Sequence, residues 1–420
     1  MTTANQSQGQ NVGSSQARLE HLLEQVSALV ESPENQRRLE LQRRLNRRER
    51  VIAFNPWYWG GGLSVSDSLS PVPGMSVREM ALNLGLVDAA FARSLVCRQL
   101  EEQLEFFKNR ISDSPVATQV FTNLGLSWLY TTGALGERQE VLPETGAFIT
   151  RPSLESSGEW KRLPTPSFRV DEALHQSRMD LYRKLTHGAL PIIDDLVPLP
   201  IGSVFGTASR LRGDADILMD FRECPDDVHG LMRFVTDSAR RFNADWREFQ
   251  EKAGSNPPGA TGGPYMQYIF TSICSSGDMS MMNEGEDHVS ANMFSEADFL
   301  EFVFPYQKEI MAGYPKCYYH SCGNLTPFFK HLHQLPNLHR QHVSPWSDLE
   351  TAVEVFGNDV ILEIHQPLDF DRKTEAEIDR EADRLVDLCA GFCTADVVLG
   401  DTENGRRYRK RVLDQIGMSG

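Results

Sequence analysis

From Val51 to the end of the chain, short apolar runs alternate with amphipathic helical patterns, and no shift in composition interrupts them. Parallel strands need such alternation, because a crossover must carry the chain back before the next strand can pair. VIAFNPW (51–57), CYYH (317–320), HRQHVS (339–344), VILEIHQ (360–366) and ADVVLGD (395–401) have the length of buried strands. GPYMQYIFTSICSSGD (263–278) reads as a further strand running into a loop. Between such runs, ARSLVCRQLEEQLEFFKNRI, SEADFLEFVFPYQKEIMAG and TEAEIDREADRLVDLC repeat at helical spacing. About eight βα units predict an α/β chain built as a (β/α)8 TIM barrel over residues 51–420. A doubly wound open sheet is the alternative, but no GxGxxG follows the first strand to support a dinucleotide fold.

Ahead of the barrel, residues 1–16 are rich in Gln, Ser, Asn and Gly and are expected to be a disordered tail. Residues 17–50 are expected to be a helical extension. Leu19, Leu22, Leu23, Val26, Leu29 and Val30 recur at spacings of three and four, and a second, arginine-rich helix starts at Pro33. Its interleaved glutamates favour a solvated face, packed on the barrel or on a second copy, over a nucleic-acid arm. The net charge of −16 also disfavours nucleic acid and anionic membranes. No apolar run reaches the roughly eighteen residues of a membrane span. Seven scattered cysteines suit free thiols or metal ligands in a reducing cytoplasm better than a disulfide framework.

Barrels of this kind place their chemistry at the carboxyl ends of the strands. Those ends supply Asn55, Trp57 and Tyr58, then Asp278 and Met279 with Glu284, Glu286 and Asp287. They continue with His320 and Cys322, His342 and Ser344, and Glu363, His365 and Gln366. The last end offers Asp401 and Glu403 if ADVVLG is the strand, or Cys393 if LCAGFC is. His320 and Cys322 are the most telling pair. Residues two apart on a strand point the same way, and an imidazole with a thiolate suits Zn²⁺ rather than Mg²⁺ or Ca²⁺. Such a zinc supports hydrolytic or lyase chemistry through bound water. It also supports activation of a substrate thiol, toward which a sulfur-containing ligand set leans.

HSCGNLTPFF (320–329) carries a resemblance to a known family. So do LPIGSVFGTASRLRGDADILMDFRECPDDVHGLMRFVT (199–236), SGDMSMMNEGEDHVSANMFSEADFLEFVFPYQKEI (276–310) and VSPWSDLETAVEVFGNDVILEIHQPLDF (343–370). In their order along the chain they resemble the uroporphyrinogen decarboxylase superfamily. Within it they are most similar to the zinc-dependent, corrinoid-linked methyltransferases related to methylcobalamin:coenzyme M methyltransferase. The likeness spans roughly residues 50–420. It implies transfer of a methyl group between a corrinoid, free or on a partner protein, and a thiol, folate or small methylated substrate. It implies zinc on His320, Cys322 and, by spacing, Cys393. GFCTADVVLG does not reproduce the family's loop at the third ligand, which leaves Glu363, His365, Cys389 and Asp401 open as further ligands. Asp278 and Glu284 are then candidates to hold polar groups of the substrate. Asn55, Trp57, Tyr58, Met279, His365 and Gln366 are candidate pocket residues. FNPWYWGGG stands where the decarboxylases carry an arginine-rich motif, which counts against decarboxylation by Asp278 as the alternative. A non-catalytic binding relative is the other alternative, and a homodimer through the N-terminal helices is compatible with the pattern.

Overall fold

The computed structural model describes residues 4–56, 88–108, 111–116, 120–121, 138–141, 148–165, 172–190, 192–193, 203–253, 282–286, 289–314, 316–366 and 369–417. The strands among them are β1 (Ile52–Pro56), β2 (Val120–Phe121), β3 (Arg138–Val141), β4 (Phe148–Arg151), β5 (Ile192–Ile193), β6 (Met282–Glu286), β7 (Lys316–His320), β8 (Leu338–Val343), β9 (Ile361–His365) and β10 (Thr394–Leu399). Six of them form one parallel sheet in the order β1-β10-β9-β8-β7-β6, which sets the first strand beside the last. β2 and β5 form a separate parallel pair, and β3 and β4 an antiparallel hairpin. Every residue of β9 and β10 is buried, as expected when helices cover one face of a parallel sheet and side chains fill the other.

The longer helices are α1 (Ala4–Val30), α2 (Pro33–Asn46), α3 (Ala89–Lys108), α4 (Glu172–Leu185), α5 (Val204–Arg212), α6 (Asp214–Glu223), α7 (Pro225–Ala253), α8 (Phe304–Met311), α9 (Leu349–Phe356), α10 (Glu375–Cys389) and α11 (Glu403–Gln415). Helix α10 shows why they dock. A Thr374–Glu377 capping box starts it, and Ile378, Ala382, Leu385 and Cys389, spaced by three and four, are buried. Its outer face pairs with α11: Arg407 grips Asp379 and Arg411 grips Asp383, each through two nitrogens. At the amino end of the sheet, Leu41 and Leu45 of α2 pack on Val51, Ala53 and Ile361. Helix α1 packs on α3 through Leu19, Leu22, Leu23 and Val26. The N-terminal helices therefore lie against the rest of the chain, and α2 covers the end of the sheet opposite the strands' carboxyl termini. No helix among the described residues is long and apolar enough to cross a membrane.

Two expectations change, and a third lies outside the described residues. Helix α1 runs from Ala4 to Val30, so the segment expected to be a disordered tail is helical from Ala4 on, although Gly9 and Gly13 each cost a helix interior about 1 kcal/mol. The helix expected over 295–313 is split by a π-turn at Phe299–Val303. Pro305 follows that turn, lacks an N–H, and would clash with the carbonyl four residues back in a regular helix. The strand expected in 263–278 lies outside the described residues, and the strand that pairs with β7 is β6.

Candidate metal centre

Three adjacent strands each carry a polar residue and then a histidine two positions on: Tyr318 and His320 on β7, Arg340 and His342 on β8, Glu363 and His365 on β9. Period-two alternation sends each pair to one side, and parallel register lines the pairs up. Tyr318 stands opposite Arg340, His342 opposite Glu363, and Glu363 opposite Asp396. The three imidazoles form a row. The His320 and His342 rings are centred 4.3 Å apart, and those of His342 and His365 4.4 Å apart.

Below this row sits a buried charge network. Arg340, fully buried, donates to Glu363 Oε2 at 3.0 Å and to Asp396 Oδ2 at 2.5 Å. Glu363 Oε1 accepts from Tyr318 Oη at 2.7 Å and from His365 Nε2 at 2.8 Å. Burial by itself would raise the Glu363 carboxyl; the His365 hydrogen bond and the charges of His365 and Arg340 outweigh it and hold the group well below the carboxylate range. Asp396 moves the other way, because its burial outweighs the Arg340 charge. One guanidinium therefore serves two buried carboxyls unequally, and Glu363 is the more readily ionised of the two.

The hydrogen bonds also fix two tautomers. The Ser321 carbonyl can only accept, so His342 donates to it from Nδ1 at 2.7 Å and its Nε2 carries a lone pair. That Nε2 is buried and has no hydrogen-bond partner among the described residues. Burial, followed by the charges of His320 and His365, holds His342 well below the usual histidine range and so neutral. His365 donates a hydrogen bond from Nε2 to ionised Glu363, the carboxylate–histidine arrangement that orients metal ligands.

His320 ends β7 with 2% of its surface exposed, while Cys322, in the turn beyond, is exposed. Cys322 Sγ lies 3.8 Å from His320 Nε2. Two such atoms on one tetrahedral zinc, at roughly 2.1 and 2.3 Å, would stand about 3.6 Å apart, so the pair fits the ion expected from sequence. The turn is held in place: Ser321 Oγ donates to Val289 O at 2.6 Å and accepts from Val289 N at 3.1 Å. His342, Glu363 and His365 also offer atoms within 4.8 Å of one another. Glu363, engaged through both oxygens, is better placed to orient His365 than to bind a cation.

Several expected site residues fall elsewhere. Cys393 precedes β10, at the amino end of the sheet, three residues before Asp396 and so about 10 Å down the strand from the histidine row. Its thiol is buried and faces the Cys389 carbonyl at 3.9 Å, which separates it from His320 and Cys322. Cys389 is buried in α10, and Asp401 pairs with Arg406 at 2.8 Å. Asn55 is buried, donating to Asp396 and accepting from Ser114; both ends of its amide are used within the protein rather than offered to a substrate. Gln366 donates to Tyr408 Oη of α11 at 3.0 Å, because adjacent residues on a strand face opposite ways. Glu284 lies on β6 in register with Tyr318, and Glu286 in register with His320. Trp57, Tyr58, Asp278 and Met279 lie outside the described residues. Sequence reasoning passed over Arg340, Asp396 and Ser321. The repeated polar-x-His pattern was the available signal for Arg340.

No family model matches the chain, and no curated protein matches it. Among solved structures the chain is similar to a methyltransferase from Methanosarcina mazei, at 13% identity over 83% of this chain and 94% of that one, with a TM-score of 0.46. At that distance the activity of one chain does not carry over to the other.

Proposed function

We propose that this chain is a zinc-dependent methyltransferase that moves a methyl group between a corrinoid and a thiol, folate or small methylated substrate. The carrying observation is the 3.8 Å approach of Cys322 Sγ to His320 Nε2 in a turn that leaves the thiol exposed. The H-x-C-G-N-x-x-P run at 320–327 supports the same reading from sequence. Zinc there would lower the pKa of a bound thiol and so supply a nucleophile at neutral pH. His320 and Cys322 hold the ion, and Ser321 fixes the turn that carries both. Asp278 and Glu284 hold polar groups of the substrate, Trp57 and Tyr58 wall the pocket, and Met279 lines it.

The architecture belongs to the same proposal. Six parallel strands with the first beside the last, and a further parallel pair at β2 and β5, support a closed eight-stranded barrel in which that pair fills the gap between β1 and β6. The test is metal analysis with a transfer assay. The purified chain should hold about one zinc, and should consume methylcobalamin, read from its visible spectrum, when a thiol is supplied. His320→Ala and Cys322→Ala should lose both properties. A chain that takes up no zinc sinks the reading.

A further inference from the structure

We propose that a cleft between α1 and α3 binds the phosphate or pyrophosphate group of a small molecule. The cleft has a volume of about 300 Å³, the lower end of the range for small-molecule sites. One face of α3 forms most of it, because Arg93, Cys97, Arg98 and Glu101 recur at spacings of three to five. Arg18 reaches it from α1, and Ser15 and Ser94 add a hydroxyl from either side. Three guanidiniums therefore meet one carboxylate. Two positive charges are left over, in a chain whose net charge is −16. The cleft shares no residue with the metal centre, so the proposal stands apart from the zinc reading.

Each arginine is held differently. Arg18 donates to Glu101 Oε1 through Nε at 2.8 Å and Nη2 at 2.5 Å. Arg93 donates to neutral oxygens, Gln16 Oε1 at 3.0 Å and Ser15 Oγ at 3.5 Å. Those bonds fix its guanidinium without cancelling its charge. Arg98 is exposed and has no ion pair among the described residues. Cys97 is 5% exposed; burial raises its thiol, and the charges of Arg18 and Arg93 oppose that rise, so both act on the same spot. The chemistry of the ligand follows from this balance. A carboxylate brings one charge and two oxygens. A phosphate group brings close to two charges and three acceptor oxygens, which suits several planar guanidinium forks at once.

The probe is pyrophosphate, titrated into the full chain by calorimetry at physiological ionic strength. Binding should saturate, and acetate at matched ionic strength should not displace it. Arg93→Gln and Arg98→Gln should each weaken it by about 10-fold or more, the range for a charged hydrogen bond. Both should keep the circular dichroism and the zinc content of the parent. Glu101→Gln should tighten binding, because it frees Arg18; a general loss of structure would weaken it instead. Pyrophosphate held elsewhere, on a metal for example, would be insensitive to the arginine variants. A titration that never saturates, displacement by acetate, unchanged affinity in either arginine variant, or weaker binding by Glu101→Gln overturns the assignment.

Discussion

Arg340→Met is the most revealing single change for stability. It keeps an apolar stem in place of the arginine's and removes the guanidinium that Glu363 and Asp396 share at 3.0 and 2.5 Å. All three residues are at most 1% exposed, so water cannot take over. Removing one partner of such a buried group costs about 3–5 kcal/mol. Unfolding entropy of about 2.1 cal/mol/K per residue gives roughly 0.9 kcal/mol/K for 420 residues. The expected fall in melting temperature is then about 3–6 °C, measured by circular dichroism at pH 8 with scan rates matched. The sign with pH follows. Without Arg340 the folded-state pKa of both carboxyls rises, further for Asp396, which burial already raises, than for Glu363, which keeps its hydrogen bond to His365. The penalty is therefore full at high pH and fades as the pH falls through those raised values. A triple variant, Arg340→Met with Glu363→Gln and Asp396→Asn, should recover most of the loss, because no charge is left unpaired. A melting point within 1 °C of the parent at pH 8, or a loss that neutralising both carboxylates leaves untouched, would refute the account.

Gly323→Ala should disturb the centre without touching a ligand. Its Cβ would sit 2.3 Å from Ser290 Cβ and 2.5 Å from Val289 O, so the Ser321–Cys322 turn must shift; zinc content should fall with a stability loss of about 1–3 kcal/mol. Ser295→Ala breaks the capping box with Asp298 and should cost about 1 kcal/mol in urea unfolding with zinc content unchanged. Glu34 is held down to about 2 by its hydrogen bond to Arg37, with burial opposing and Arg38 assisting. A depressed carboxyl stabilises the fold above the unfolded value of about 4.5 and loses that contribution as the pH falls toward 2. Glu34→Gln should therefore flatten the dependence of the unfolding midpoint on pH between 5 and 3.

Strands β7 to β10 were legible because an apolar stretch of strand length between helical patterns leaves few other readings. β6 was not: Met282–Glu286 reads MNEGE, and nothing in that composition marks a strand until β7 lies beside it. The His320–Cys322 pair was legible because its spacing is local and depends only on the side-to-side alternation of a strand. Cys393 misled because distance along the chain was read as distance in space, whereas the register of β10 puts it at the far end of the sheet. Gln366 failed for a simpler reason, since His365 and its neighbour cannot both face the same way. The tautomer of His342 could not be read at all, because it depends on a carbonyl 21 residues away in sequence.

The pairing of Ala53 with Asp396 sets a timetable for the nascent chain. At about 5–20 residues per second, a ribosome completes β10 roughly 20–70 s after β1. Throughout that wait the side of β1 destined for β10 lacks its partner, an open invitation to pair with another chain. Leu41 and Leu45, synthesised just before it and resting on Val51 and Ala53 in the folded chain, are the apolar partners already at hand for the first strand during that wait.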